Sequence, residues 1–465
     1  MIFVVKCMKY KETEIQEYIW EHREDFSSMI EEPVFEEEPN KCPWEFEPWE
    51  LLYYQTLKEY KLSYGSLEGL EIFGCEVRLP KAGESTIRTD FLGCLEGENG
   101  FVICELKVNK EPERQTYTEF FAYANHVRSK FAPMGRRDVF YLLIAPMEER
   151  IVREATISTL LYDKNRVLAL IPEVGDTISS LKFKLWIPSK DEFRIFTKTA
   201  FAFENLDVFK ISWRGAAGKW SPVKDGKKPN SKMIHRLNNV SHYAAQIMES
   251  YGINGFVYCS QAYPAVRDAG FYENGITICG VNPFKAAKTR FLLEAGCSLE
   301  DAAKMGVDVI EMVDIMPGLK NICKDPIGED YCYWLSESWA SCLDRIGLEV
   351  VKRVNYIFGP STYLQGYGTF TWDSYLNNSS EDHLCWNYDI CLTGIFRQLY
   401  DSKLERHYSA AKGYTKAQLR DVRERENLER HYIDMMYDHE HIREFIKSLI
   451  ENEKPISNND QGGII

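Results

Sequence analysis

The chain contains no run of about 18 apolar residues, so we expect no membrane-spanning helix. Its 13 cysteines include no Cys-x-x-Cys pair, which argues against the usual zinc frameworks and favours free thiols in a reducing compartment. No Walker A phosphate loop is present, which excludes ATP-driven translocation by this chain. Residues 1–10 lack the charged-then-apolar order of a signal peptide. These absences together predict a cytoplasmic protein.

Charge is distributed unevenly along the sequence. A net charge of -14 argues against a protein that coats nucleic acid with its whole surface. Residues 29–50 carry eight acidic side chains against one lysine, whereas residues 213–236 carry seven Lys or Arg against one Asp. The basic segment is either an exposed linker or a nucleic-acid contact in which Lys and Arg bind phosphates and Trp stacks on bases. The candidate contact residues are Arg214, Lys219, Trp220, Lys227 and Lys228.

Hydrophobic periodicity predicts an α/β fold with a mixed central sheet and flanking helices. The near-continuous apolar strands that follow helices indicate parallel crossovers buried on both faces of the sheet. The expected strands are 70–79, 85–95, 100–108, 138–144 and 167–171, and the expected helices are 49–62, 112–130 and 148–162.

The pattern divides the chain into four segments. They are an N-terminal helix with the acidic segment (1–44), a central α/β domain (45–204), a second α/β domain with the basic loop (205–329) and a mostly helical region (330–465). In the second domain we expect helices at 231–250, 262–269 and 283–295 and strands at 255–259 and 275–280. Ser298 with Asp301, and Thr415 with Gln418, form candidate helix-capping boxes.

Two predicted strands carry charged residues among apolar neighbours. If residues 96–99 form the loop of a hairpin, Asp90 falls directly opposite Glu105, and opposed residues share a face of the sheet. The strand period places Lys107 on that same face. A tighter turn at Asn99-Gly100 would move Asp90 about four residues away from Glu105 and separate the carboxylates.

These three residue types suit phosphodiester chemistry. A hard cation that bridges Asp90 and Glu105 would relieve their like-charge repulsion, and the Leu106 carbonyl would add an oxygen ligand. Lys107 would orient or deprotonate the attacking water and neutralise charge on a phosphate. The alternative is an edge strand whose Glu–Lys pair faces water, but the apolar flanks favour a central strand.

The Asp90…Glu105-Leu106-Lys107 pattern resembles the central motif of the PD-(D/E)XK, restriction-endonuclease-like nuclease superfamily. The layout of helix, Gly74-Cys75-Glu76-Val77 strand, Asp strand and Glu-x-Lys strand resembles its mismatch or branched-DNA endonuclease branch. The resemblance covers roughly residues 45–175. It implies that 45–204 is a nuclease domain and that phosphodiester hydrolysis uses Mg²⁺ or Mn²⁺.

The resemblance also implies further site residues. A glutamate from the first helix often joins the metal site, and Glu50 occupies that place, with Glu47 as the runner-up. The exonuclease-like branch adds Gln and, four residues later, Tyr in the helix after the lysine. Tyr123 fits the second position, but Glu119 stands where Gln is expected, and Gln115 lies one turn earlier. This departure leaves the role of that helix open.

We therefore expect an Mg²⁺-dependent nuclease that acts on DNA, in restriction or antiphage defence by fold-level analogy. The C-terminal helices would mediate a homo-oligomer or bind a protein partner, and no membrane is involved. One alternative is an inactive nucleic-acid-binding or sensor protein on a nuclease-like fold. Another is an interaction scaffold whose acidic segment 29–50 binds a basic partner.

Overall fold

The computed structural model of this protein describes residues 10–42, 45–80, 83, 86–96, 100–108, 116–131, 134–161, 165–214, 229–262, 273–316, 331–358, 363–368, 385–412 and 439–450. Spatial contacts group the chain into two compact units, where the sequence pattern suggested four segments. Unit 1 comprises Met1–Pro39 and Tyr53–Lys190, and unit 2 comprises Asn40–Leu52 and Asp191–Ile465. The fold is a mixed α/β arrangement with one sheet in each unit, as predicted.

Unit 1 is built on a six-stranded mixed sheet. Its strands are β1 (Leu70–Leu79), β2 (Ile87–Leu95), β3 (Phe101–Leu106), β4 (Val139–Ile144), β5 (Arg166–Glu173) and β6 (Lys182–Leu185), and they lie in that order. Strands β1, β2 and β3 are antiparallel neighbours, β3, β4 and β5 are parallel, and β6 is antiparallel to β5. The predicted strands and their parallel crossovers are confirmed.

Helices cover both faces of this sheet. They are α1 (Glu12–Glu21), α2 (Pro48–Gly65, whose first five residues belong to unit 2), α3 (Thr116–Lys130) and α4 (Arg150–Leu161). One apolar layer packs α3 against the sheet through Phe120, Ile103 and Tyr141. The other layer joins α1 to the opposite face through Ile15 and Ile19. Because β4 is buried on both faces, its sequence Val-Phe-Tyr-Leu-Leu-Ile is uninterrupted by polar residues.

Unit 2 contains an antiparallel sheet. Its strands are β7 (Leu206–Trp213), β8 (Gly255–Ala262), β9 (Asn274–Val281), β10 (Tyr363–Gly368), β11 (Cys385–Asn387) and β12 (Cys391–Thr393), in the order β10-β7-β9-β8-β11, with β12 also paired to β8. Its helices are α5 (Lys190–Ala200), α6 (Ser231–Ser250), α7 (Pro283–Glu294), α8 (Leu299–Lys304), α9 (Met312–Ile315), α10 (Tyr331–Phe358), α11 (Ile395–Lys412) and α12 (His439–Ile450). Helices α6 and α10 pack on the sheet and form its apolar core.

Several expectations for unit 2 need adjustment. Strands β8 and β9 are antiparallel neighbours, unlike the strands joined by crossovers in unit 1. The helix expected at 262–269 falls almost entirely outside the described residues. The region expected to be mostly helical also supplies β10, β11 and β12 to the sheet, so it does not separate from the second α/β domain.

The two candidate caps have different outcomes. The Asp301 backbone NH donates a hydrogen bond to the Ser298 hydroxyl over 3.1 Å, which confirms Ser298 as the cap of α8. Thr415 and Gln418 lie outside the described residues. In the part of the chain that the structure describes, no helix combines the length and apolar character needed to cross a membrane.

Candidate active site

The β2–β3 hairpin has the register that the sequence favoured. Phe91 pairs with Cys104 and Cys94 pairs with Phe101, so the next position along the ladder sets Asp90 opposite Glu105. The alternative register, with a tight turn at Asn99-Gly100, is therefore wrong. Asp90 and Glu105 lie near the end of the β2–β3 pairing. From this end the chain continues through Lys107 toward α3.

The ladder ends at Asp90 and Glu105 with a reciprocal exchange of hydrogen bonds. The Leu106 backbone NH donates to Asp90 Oδ2 over 2.7 Å, and the Asp90 backbone NH donates to Glu105 Oε1 over 3.3 Å. Each carboxylate thus accepts from the other strand where a backbone carbonyl would normally do so. The exchange fixes both acidic side chains without help from distant parts of the chain.

The Lys107 ammonium lies close to three carboxylates. Its Nζ lies 3.0 Å from Glu105 Oε2, 3.2 Å from Glu119 Oε2 and 3.8 Å from Asp90 Oδ2. The Lys107 backbone NH donates to the Ile144 carbonyl over 2.8 Å, which continues the parallel pairing of β3 with β4. Lys107 is 7% exposed and Glu105 is 1% exposed, so these charges interact in a medium of low polarity.

Helix α3 contributes Glu119 and Tyr123. Glu119 occupies the position where the resemblance led us to expect Gln, and its buried Oε2 accepts no hydrogen bond despite its proximity to Lys107. Tyr123 lies one turn later and is buried. Burial, followed by the charges of Glu105 and Glu119, raises the pKa of the Tyr123 hydroxyl. The Tyr123 hydroxyl is therefore neutral at physiological pH.

Glu12, in the first turn of α1, also reaches the site, and the sequence analysis missed it. Its carboxylate faces the Val108 backbone NH and interacts electrostatically with Lys107, Asp90 and Glu119. Burial raises the pKa of Glu12, while the Lys107 ammonium opposes that change. Among the described residues, three carboxylates therefore lie within 4 Å of the Lys107 ammonium, and Glu12 is a fourth carboxylate that interacts with it electrostatically.

Helix α1 is held beside the site by a second contact. Gln16, one turn after Glu12, is buried, and its Nε2 donates to Glu76 Oε1 over 3.0 Å. Glu76 has a φ of 50°, a left-handed conformation that is rare for residues with a side chain and costs about 1–3 kcal/mol. Glu12 and Gln16 lie on one face of the helix because they are four residues apart.

The electrostatics of the site reflect excess negative charge. Burial, and then the neighbouring Asp90, raises the pKa of the Glu105 carboxyl. Burial also raises the pKa of Asp90, although Lys107 opposes the change. Burial alone would lower the pKa of Lys107, but the Glu105 and Asp90 carboxylates outweigh it and raise that pKa. Lys107 is therefore an ammonium at neutral pH, in a cluster with more acid groups than it can neutralise.

The donor chemistry fits a hard divalent cation. Among the described residues, no three His, Cys, Asp or Glu side chains are arranged to hold a metal ion, because the carboxylates converge on the Lys107 ammonium. The expected ligand set was Asp90, Glu105, the Leu106 carbonyl and Glu50, but the Glu50 carboxylate is paired with Lys41, which leaves two carboxylates and one carbonyl. All are the oxygen donors that Mg²⁺ and Mn²⁺ prefer. Glu119 Oε2 forms an ion pair with Lys107 but no hydrogen bond, so it keeps unused acceptor capacity.

The other expected site residues belong to unit 2 or fall outside the described residues. Glu50 belongs to unit 2, where it accepts from Lys41 Nζ over 2.5 Å and from the Glu47 backbone NH over 2.8 Å. Glu47 accepts from Trp49 Nε1. Arg214 is exposed after β7. The residues outside the described part of the chain are Gln115, Lys219, Trp220, Lys227 and Lys228.

The site residues come from segments that are far apart in the sequence. A glutamate from the first helix is the contribution that the resemblance implied, but the helix that provides one here is α1, well before the region that the resemblance covers. Comparison of the chain with protein families, curated proteins and solved structures gave no match.

Proposed function

We propose that this chain is a divalent-metal-dependent nuclease that hydrolyses phosphodiester bonds, with DNA as its substrate. The observation that carries the proposal is the convergence of the Asp90 and Glu105 carboxylates, from adjacent strands, on the Lys107 ammonium. A central motif of this form underlies the resemblance to the PD-(D/E)XK superfamily, and the helix–strand–strand–strand–helix–strand order of unit 1 is compatible with it.

In this proposal each residue has a distinct task. Asp90, Glu105 and the Leu106 carbonyl would hold Mg²⁺ or Mn²⁺ through oxygen ligands. When bound, the cation supplies charge neutralisation for the phosphate and lowers the pKa of water. Lys107, kept protonated by its neighbours, donates hydrogen bonds to a phosphate oxygen and orients the attacking water.

Glu12 and Glu119 support these residues from two helices. Glu119 contacts the Lys107 ammonium and directs it. Glu12 adds a further carboxylate on the side of the site covered by α1. We assign Glu12 the first-helix glutamate role that was expected of Glu50, since Glu50 is engaged by Lys41 in unit 2.

The decisive experiment is a cleavage assay on circular duplex DNA, linear duplex DNA, single-stranded DNA and RNA, with Mg²⁺, Mn²⁺ or EDTA. We expect metal-dependent cleavage that falls by about 10²-fold or more in Lys107→Ala and Asp90→Asn. Lys184→Ala, at an exposed position on β6, is the matched control and should cleave normally. Cleavage that persists in EDTA, or in both site variants, would contradict the proposal. A chain that binds nucleic acid but cleaves none of these substrates is the inactive binding protein considered above.

The wider setting is also proposed. Cysteines are free among the described residues, which supports residence in a reducing compartment such as the cytoplasm. Unit 2 would supply recognition of the substrate, a trigger or a partner, as expected for a restriction or antiphage nuclease. Loss of phage protection in cells that carry Lys107→Ala in place of the native chain would support this setting.

A further inference from the structure

Three phenylalanines form a partly exposed row on unit 1, here called the aromatic ladder. The rings of Phe73 and Phe101 lie 6.4 Å apart between centroids, and those of Phe101 and Phe131 lie 5.0 Å apart. Phe73 is 49% exposed and Phe131 is 54% exposed. Adjacent phenylalanine rings that are exposed to solvent indicate a binding surface.

The fold builds the ladder from three elements. The pairing of β1 with β2 shifts register between Ile72 and Gly74, so Phe73 is the extra residue of a β-bulge, a device that redirects a side chain. Phe101 begins β3. Phe131 follows α3, and its backbone NH donates to the Val127 carbonyl over 3.0 Å, which continues the helical turn.

Arg128 lies one helical turn before Phe131, and part of its guanidinium has no hydrogen-bond partner among the described residues. Its Nε and Nη2 atoms are buried and make no hydrogen bond among the described residues. A buried charged group without hydrogen-bond partners is more unfavourable than a neutral one. Arg128 is only half-buried as a residue, so an anion from outside the chain could pair with its guanidinium once the side chain turns outward, and an anion suits a guanidinium best.

The surrounding sequence is basic although the chain is acidic. Between residues 128 and 137 there are four Arg or Lys and no Asp or Glu, whereas the whole chain has a net charge of -14. Lys130 and Arg137 are exposed. The exposed Glu71, two residues before Phe73, is the acidic neighbour on β1. The local charge is therefore complementary to a polyanion on the α3 side of the ladder.

We propose that the aromatic ladder and Arg128 bind single-stranded nucleic acid. Bases stack on Phe73 and Phe131, while Arg128 and Lys130 contact backbone phosphates. The occupant is single-stranded because a ring can stack on a base face only where that face is free of its neighbours. Stacking without base-edge contacts predicts weak sequence preference and strong salt dependence.

This inference deepens the proposed function, and the role of the aromatic ladder in catalysis depends on that proposal. Phe101 and Glu105 lie four residues apart on the same face of β3, which corresponds to about 13 Å along the strand. A strand held at the ladder would thus lie a short distance from the candidate active site. The nuclease would favour substrates with a single-stranded flap, gap or end.

Binding in EDTA tests the inference separately from catalysis. We expect a fluorescent oligo(dT) to bind the double variant Phe73→Ala/Phe131→Ala about tenfold or more weakly than the native chain, since each stacked base contributes about 1–3 kcal/mol. Arg128→Gln should weaken binding and reduce its salt dependence. Phe131→Trp should retain binding, because the larger ring still stacks.

Two controls make the outcome decisive. Ile151→Ala removes a 55% exposed apolar side chain elsewhere on unit 1 and should bind as the native chain does. A duplex of the same length should show little response to the ladder variants. Native-like oligo(dT) binding by a folded double variant would overturn the inference. Reduced binding with no cleavage of any substrate would instead overturn the proposed catalysis and leave the inference standing.

Discussion

The Glu12 carboxylate, in the first turn of α1, faces the Val108 backbone NH just after β3. A half-buried carboxylate near three others is costly unless a positive charge faces it. Lys107 supplies one charge to four carboxylates. A divalent cation would balance the remainder, so Glu12 should matter most when the metal binds.

The first prediction concerns Glu12→Gln. We expect the Mg²⁺ concentration for half-maximal cleavage to rise about 10- to 100-fold, the usual effect of removing a group that supports metal ligands. The measurement is a magnesium titration of the cleavage rate. Glu17→Gln, at an exposed position on the same helix, is the control and should titrate like the native chain. An unchanged titration in Glu12→Gln would remove Glu12 from the site.

The second prediction concerns the charge balance around Lys107. Lys107→Met leaves Glu105 and Asp90 buried without their cation, so we expect the free energy of unfolding in EDTA to fall by about 3 kcal/mol. Urea denaturation measures this change. Adding Glu105→Gln to Lys107→Met should recover part of the loss, because one uncompensated carboxylate disappears. A double variant no more stable than Lys107→Met would mean that the destabilisation arises from packing.

The sequence predicted the hairpin site well because its information is local. Residues 87–106 alternate and pair over a short loop, so the opposition of Asp90 and Glu105 follows once the register is chosen. Glu12 was not predicted, since a glutamate in the first turn of a charged helix is usually solvated. Its role depends on the docking of α1, which joins residues far apart in the chain and leaves no periodic signal.

The second sheet shows the same limit. Strands β8 and β9 are apolar and were predicted over most of their length, whereas β7 and β10 were not predicted. Strand β10 reads Tyr-Leu-Gln-Gly-Tyr-Gly and has two glycines that disfavour an isolated strand. Its pairing with β7 spans about 150 residues. Tertiary pairing rather than local preference therefore decides this strand.

The third prediction concerns pH. The folded-state pKa of Glu105 is raised, so its contribution to stability is present below the pKa of an unfolded glutamate, about 4.3, and is lost as pH rises through the folded-state value. In EDTA, the native chain should therefore lose more stability between pH 5 and 8 than Glu105→Gln does. Thermal unfolding across this range measures the difference. Mg²⁺ should reverse the trend for the native chain, since ionised carboxylates bind it; equal slopes for both proteins in EDTA would contradict the assignment.

The fourth prediction concerns Gly100, where β3 approaches another segment. Its φ is 117°, and a Cβ at this position would lie 2.0 Å from the Asp138 carbonyl oxygen. Gly100→Ala must therefore move the backbone, and we expect destabilisation of more than about 1 kcal/mol. Because the start of β3 then shifts relative to β2, Asp90 loses its place opposite Glu105, and cleavage should fall further than stability alone explains.

Gly83→Ala separates these two effects. Gly83 also has a positive φ, 78°, but a Cβ there meets no atom of the described residues within 4 Å. We expect this variant to show the conformational penalty without displacement of the hairpin, and hence near-native cleavage at a temperature where both proteins are folded. Cleavage rates and thermal midpoints, measured side by side, decide the matter. If Gly100→Ala cleaves like Gly83→Ala at equal folded fraction, the register of β3 does not depend on that close approach.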